Sequence, residues 1–200
     1  MTDSLPPPHA MATRSEPFDF LFLPGRGNSG VDHWQTHWLG ALPNSSRLLQ
    51  DDWKAPDPVD WIRRLGNAIE FAPRRIVLVA HSLSTIVTVK WAAAASAEHL
   101  GKVAAAFLVA PTDVADPAPS FAPVRAFAPI PRKPLPFPAM VVASRNDIRV
   151  SFARAEEFAN AWAAELRDVG NLGHMGNDEQ LCDWTEGLLL LGRLLGKAGL

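Results

Sequence analysis

Arg75-Ile76-Val77-Leu78-Val79-Ala80-His81-Ser82-Leu83-Ser84-Thr85 is the stretch that decides how this chain folds. Ile76 to Ala80 is apolar without alternation, as in a short strand covered on both faces in a parallel sheet. The run passes through His81-Ser82-Leu83-Ser84 directly into helix-compatible sequence from Thr85 to Ala95. A serine at a strand–helix junction, with small residues two places to either side, has the form of a nucleophile elbow. The tight turn lifts the serine oxygen clear of the sheet, and bulk at either flank would clash. Here the flanks are Ala80 and Ser84, where the usual pattern has glycine. In isolation such a serine reads more readily as a helix cap, so the decision rests on the rest of the chain.

Outward from this junction the same alternation continues. Phe18 to Leu23, Val103 to Ala110 and Ala139 to Ala143 are further apolar runs, and Arg47 to Gln50 and Leu166 to Val169 are weaker strand candidates. Asp57-Pro58 reads as an N-cap with proline in the first turn, followed by the stripe Trp61, Ile62, Leu65, Ile69 up to Pro73. Ser151 caps a helix bearing Phe152, Ala155, Ala159 and Trp162; Leu181, Trp184, Leu188, Leu191 and Leu195 stripe a last helix ended by Gly196. Strands alternating with helices imply βαβ units. The expected fold is a single-domain α/β structure, a mostly parallel twisted sheet with helices on both faces and no large cap domain.

The chain of 200 residues suits one domain, expected over 17–200 behind a disordered tail over 1–16 that lacks a signal-peptide core. Its 48% apolar and 20% charged residues are those of an ordinary globule. The longest stretches free of Asp, Glu, Lys and Arg, 33–46 and 76–89, are too short for a membrane helix. A net charge of −2 argues against nucleic acid or an anionic membrane as partner. A single cysteine, Cys182, excludes an internal disulfide and a multi-cysteine zinc site, and is expected as a small buried hydrophobe on the last helix. A cytoplasmic protein is the default expectation.

Chemistry is carried by three loops in a fixed order. Ser82 needs a base and an acid that orients the base. Downstream, Met140 to Ala143 opens into Ser144-Arg145-Asn146-Asp147, and Asn171-Leu172-Gly173-His174-Met175-Gly176-Asn177 places a glycine-flanked histidine before the last helix. The order Ser…Asp…His, each after a strand, is that of an α/β-hydrolase. Asp113, in Ala110-Pro111-Thr112-Asp113, is the rival acid, with bracing of the following loop as its other role. A competing glycine cluster, Gly25-Arg26-Gly27-Asn28-Ser29-Gly30, matches G-x-G-x-x-G and has Asp51 and Asp52 downstream. Pro24 before it and Asp32-His33-Trp34 after it disfavour the dinucleotide reading, and Val31-Asp32 stands where a phosphate loop requires Lys-Ser/Thr.

Several of these segments resemble the small single-domain serine hydrolases related to YdeN and retinoblastoma-binding protein 9. They are Pro24-Gly25 to Trp38, His81-Ser82-Leu83, Ser144 to Asp147, and Gly173-His174 with Trp184 and Gly187; the resemblance spans 18–195. It implies Ser82 as nucleophile, His174 as base and Asp147 as orienting acid, with no cofactor and no metal. The L-x-C-x-E motif of the retinoblastoma-binding relative is absent, so that partner is not expected. The expected reaction is hydrolysis of a small ester, with amides or peptides as variants, through an acyl-enzyme. The oxyanion would be held by the N–H groups of Leu83 and Arg26. The alternatives are a catalytically silent binding module, if Ala80 and Ser84 bend the elbow, and a nucleotide-binding enzyme built on Gly25, Gly27 and Gly30.

Residues 111–138 hold nine of the chain's 18 prolines, so neither helix nor central strand is expected there. Phe121, Phe127 and Phe137 make this loop a candidate lid, the first two as substrate contacts. Gly25, His33 and Trp34 are further binding candidates, although Trp34, Trp38, Trp61 and Trp91 on helical stripes read first as core. His37, one turn from His33, invites a metal site but has no third ligand in view. His81 is expected to be a packed, hydrogen-bonded residue rather than a second base.

Overall fold

The computed structural model describes residues 18–200; the expected tail over 1–16 lies outside them. Six strands form one sheet: β1 (Phe18–Leu23), β2 (Ser45–Arg47), β3 (Arg75–His81), β4 (Val103–Val109), β5 (Ala139–Ala143) and β6 (Glu165–Asp168). The order is β2-β1-β3-β4-β5-β6 and every pairing is parallel. The connecting helices are α1 (Trp34–Ala41), α2 (Pro58–Glu70), α3 (Leu83–Ala94), α4 (Ala97–Gly101), α5 (Phe152–Ala161) and α6 (Thr185–Lys197).

Side-chain alternation in the strands divides the interior into two layers. Leu21, Leu23, Leu78, Ala80, Leu108 and Val141 face α2, α3 and α5. Phe20, Phe22, Val79, Phe107 and Val142 face α1 and α6. Both faces are covered, which is why β1, β3, β4 and β5 read as unbroken apolar runs. On the α1–α6 side Trp34, Trp38 and Trp184 form a cluster with ring centroids 4.7 to 5.6 Å apart. Gly187 leaves the room that the Trp184 indole occupies, since a Cβ there would come within 2.3 Å of the ring.

The edges depart from expectation. β2 lies at Ser45–Arg47 rather than Arg47–Gln50, and β6 at Glu165–Asp168, one residue before the expected run. Each pairs with a single neighbour and is only partly buried, so its sequence has no apolar signature to read. The last helix starts at Thr185: Trp184, at φ 35°, precedes it, and Leu181 and Cys182 belong to the turn before. Cys182 is accordingly half-buried in a turn at φ 48°, not packed on a helix.

Nor is the proline-rich segment free of helix. Pro119–Phe127 forms a 3-10 helix that contains Pro123. Phe121, Val124 and Phe127 are its buried residues, and their spacing of three is the repeat of that helix. A 3-10 turn needs few internal N–H donors, so proline at these places is tolerated. No helix among the described residues is long and apolar enough to cross a membrane.

Candidate active site

The chain runs from β1 outward to β2, then returns to β3 on the other side of β1 and continues to β6. Strand order therefore reverses between β1 and β3, and the loops leaving the carboxyl ends of these two strands diverge around a crevice. The glycine loop after β1 and the elbow after β3 meet there. Gln35, fully buried, braces the split by donating from Nε2 to the carbonyls of Leu23 (3.3 Å) and Val79 (2.9 Å).

At the elbow Ser82 adopts φ 56°, ψ −124°, a conformation that costs a non-glycine residue on the order of 1–3 kcal/mol. The neighbouring packing holds it. Its N–H donates to the Val109 carbonyl at 3.0 Å, extending the β3–β4 pairing by one residue. Gly25 lies against it so closely that a Cβ would fall 2.7 Å from the Ser82 Cβ. Ala80 is fully buried in the core and Ser84 donates from Oγ to the Pro24 carbonyl at 2.6 Å. Both departures from glycine are thus accommodated, and the second ties α3 to the glycine loop.

His174 Nε2 lies 2.7 Å from Ser82 Oγ, and His174 Nδ1 lies 2.9 Å from both carboxylate oxygens of Asp147. With Nδ1–H directed at the carboxylate, Nε2 presents its lone pair to the serine. The Asp147 side chain is fully buried and its Oδ1 also accepts the Arg149 N–H at 2.7 Å. The rival, Asp113, does not reach the histidine: it pairs with Arg154 at 2.9 Å and accepts the Ala115 N–H, bracing the proline-rich segment.

The histidine loop is held from several sides. Glu179 accepts the N–H groups of His174 (2.9 Å) and Gly176 (2.7 Å). Asn177 accepts from the Gly30 N–H at 2.7 Å and donates to the Asn28 carbonyl, joining this loop to the glycine loop. His81 Nε2 donates to the His174 carbonyl at 2.9 Å, the packed role expected for it, and burial holds its pKa well below the ordinary histidine value.

His33 and Trp34, the other binding candidates, are buried, and neither lines the cavity beside Ser82. His33 is the N-cap of α1, its Nδ1 accepting the Gln35 N–H. Burial first, then Arg47 and His174, lower its pKa to about 3. The neutral ring carries its proton on Nε2, which is buried without a partner among the described residues. Trp34 is fully buried and donates from Nε1 to the Met175 carbonyl at 2.9 Å. Phe127 is likewise fully buried, packed on Trp61, while Phe121 reaches the site.

Beside Ser82 lies a cavity of about 110 Å³, lined by Leu83, Arg26, His174, Phe121, Thr112 and Arg149 among others. Leu83 and Arg26 are the two expected oxyanion residues, and Gly25 backs the serine. Thr112, Ser120 and Arg149 were not singled out by the sequence reading. Thr112 Oγ1 lies 3.0 Å from Ser82 Oγ and, with the serine proton directed at His174, is the donor of that pair. A larger concavity of about 950 Å³ lies against Leu172, Leu181, Trp184 and Leu189, and none of Ser82, Asp147 and His174 lines it. His33 is no partner for a metal at His37. Instead, Asp32, His37 and Cys182 bring one ligand atom each within 4.8 Å of one another.

A family profile described as serine hydrolase matches residues 20–193. The fold is similar to that of a crystal structure described as a YdeN-like hydrolase from Pectobacterium atrosepticum, 27% identical, with a TM-score of 0.80 over 92% of this chain and 94% of that one. The ydeN gene product of B. subtilis is 19% identical, with a TM-score of 0.71 over 90% and 98%. Esterase 2 of Thermogutta terrifontis, at 16% identity, shares the fold with a TM-score of 0.61 over 91% and 83%. No curated protein matches the chain.

Proposed function

The chain belongs to the serine hydrolase family, and we propose that it cleaves small carboxylic esters through Ser82, His174 and Asp147. The single observation that carries the reading is the continuous line of hydrogen bonds from Asp147 through His174 to Ser82 Oγ, at 2.9 and 2.7 Å. In the proposed reaction His174 Nε2 takes the Ser82 proton as Oγ attacks the ester carbonyl. Asp147 stabilises the imidazolium and keeps its tautomer. The N–H groups of Leu83 and Arg26 receive the oxyanion. Collapse of the tetrahedral species expels the alcohol, which takes the proton from His174. Water, activated by the same imidazole, then releases the acid. Thr112 donates to Ser82 Oγ and stabilises the developing alkoxide.

A cavity of about 110 Å³ favours a compact acyl group, and the turn carrying Phe121 forms its wall as a short lid. The test is intact-mass analysis after incubation with a fluorophosphonate, beside Ser82→Ala. One adduct on the wild type and none on the variant is the expected result. No adduct on the folded wild type overturns the reading.

A further inference from the structure

The cavity beside Ser82 is electrostatically one-sided. Two arginines, Arg26 and Arg149, line it, and no aspartate or glutamate does. The Arg149 guanidinium sits at the wall: Nη1 donates to the Ser120 carbonyl at 3.4 Å, and Cζ lies 5.7 Å from the centroid of the Phe121 ring. Ser120 and Phe121 themselves line the cavity. Arg149 forms no ion pair among the described residues, whereas eight other arginines do.

The two nearest carboxylates along the chain and across its backbone are already engaged. Asp147 is taken by the His174 ring and the Arg149 N–H. Asp113, whose N–H donates to the Arg149 carbonyl, is paired with Arg154. One long hydrogen bond and one ring face leave most of the five N–H donors of the guanidinium uncommitted. A permanent cation placed at a small cavity, with its donors free, is complementary to a planar anion.

We propose that Arg149 receives an anionic group of the substrate, so that the preferred substrates are small esters bearing a carboxylate near the scissile carbonyl. This deepens the esterase reading and rests on it. The anion belongs either to the acyl part or to the alcohol part; the chemistry at Arg149 is the same. The guanidinium acts by binding and orientation, and takes no proton in the reaction.

Matched esters test the idea. Monoethyl succinate against ethyl pentanoate places the charge on the acyl side; 4-acetoxybenzoate against its methyl ester places it on the leaving side. In at least one pair kcat/KM is expected to favour the anion by about tenfold or more. That preference should shrink with added salt in the wild type. Arg149→Gln should lose at least about tenfold more activity on the anionic ester than on its neutral partner, with Arg149→Lys between the two. Neutral preference in both pairs, or equal losses on both esters in the variant, would overturn the proposal. If Arg149→Gln does not fold, the salt dependence of the wild-type preference decides, and its absence overturns the proposal. Serine labelling separates the two levels: a labelled enzyme without anion preference sinks this inference alone, whereas no label and no turnover sinks the esterase reading with it.

Discussion

The Ser84 hydroxyl donates to the Pro24 carbonyl at 2.6 Å, so the residue that replaces the second elbow glycine ties the nucleophile's helix to the loop that would hold the oxyanion. Ser84→Gly, which restores the common pattern, therefore removes a restraint instead of relieving one. Loss of one buried hydrogen bond is worth about 1 kcal/mol. The expected outcome is a folded enzyme with kcat reduced about five- to tenfold and KM little changed. Steady-state kinetics on a chromogenic acetate ester check it, and an unchanged or higher kcat would show that the tie is idle.

Gly25 is the closest approach of the glycine loop to the elbow. A Cβ at 2.7 Å from the Ser82 Cβ and 3.2 Å from the His81 carbonyl has no flexible neighbour to displace. Gly25→Ala must push the loop off the serine, and a displacement of about 1 Å in a site of this kind costs about 100-fold in rate. Esterase assays and fluorophosphonate labelling should both fall, with near-native circular dichroism.

Glu179 holds the His174 loop through two backbone N–H groups. Glu179→Gln keeps one acceptor oxygen and Glu179→Ala neither, so labelling of Ser82 should slow in the order wild type, Gln, Ala, with about tenfold per step. Equal rates in all three would mean that the loop is set by Asn177 and His81 without it.

Acid should unfold the protein through His33. Its pKa in the fold is about 3, below the 6.5 of the exposed ring, so between these values the unfolded chain binds a proton that the folded one does not. Stability is then complete above about pH 6.5 and falls by up to about 1.4 kcal/mol per pH unit towards pH 3 from this group. His81, with its pKa also lowered by burial, adds to the same limb. His33→Asn keeps a side-chain acceptor for the Gln35 N–H, and should flatten the slope measured by urea unfolding at pH 7, 6, 5 and 4.

The parts legible in the sequence were those with local periodicity or a fixed order. β1, β3, β4 and β5 are legible because both of their faces are buried, and Ser82, Asp147 and His174 because each follows a strand in a recognised succession. β2 and β6 were shifted because an edge strand such as Ser45-Ser46-Arg47 carries no apolar face. Thr112, Ser120 and Arg149 share neither period nor motif. Only the strand order, which sets the loop after β4 beside the loop after β5, brings them to the serine. His33 and Trp34 differ in the opposite way: they follow the glycine loop in sequence, and the structure uses them for the helix cap and the tryptophan cluster.

That cluster has an optical consequence. The chain has seven tryptophans and no tyrosine, and Trp34 and Trp38 grip the Met175 and Asp183 carbonyls at either end of the turn after His174. A backbone movement of the His174 loop that displaces the Met175 carbonyl would release the Trp34 indole N–H and change that chromophore's surroundings and its emission. Intrinsic fluorescence, with no added label, thus offers a real-time reading of whether the loop that carries His174 is in place, independent of which ester the enzyme is given.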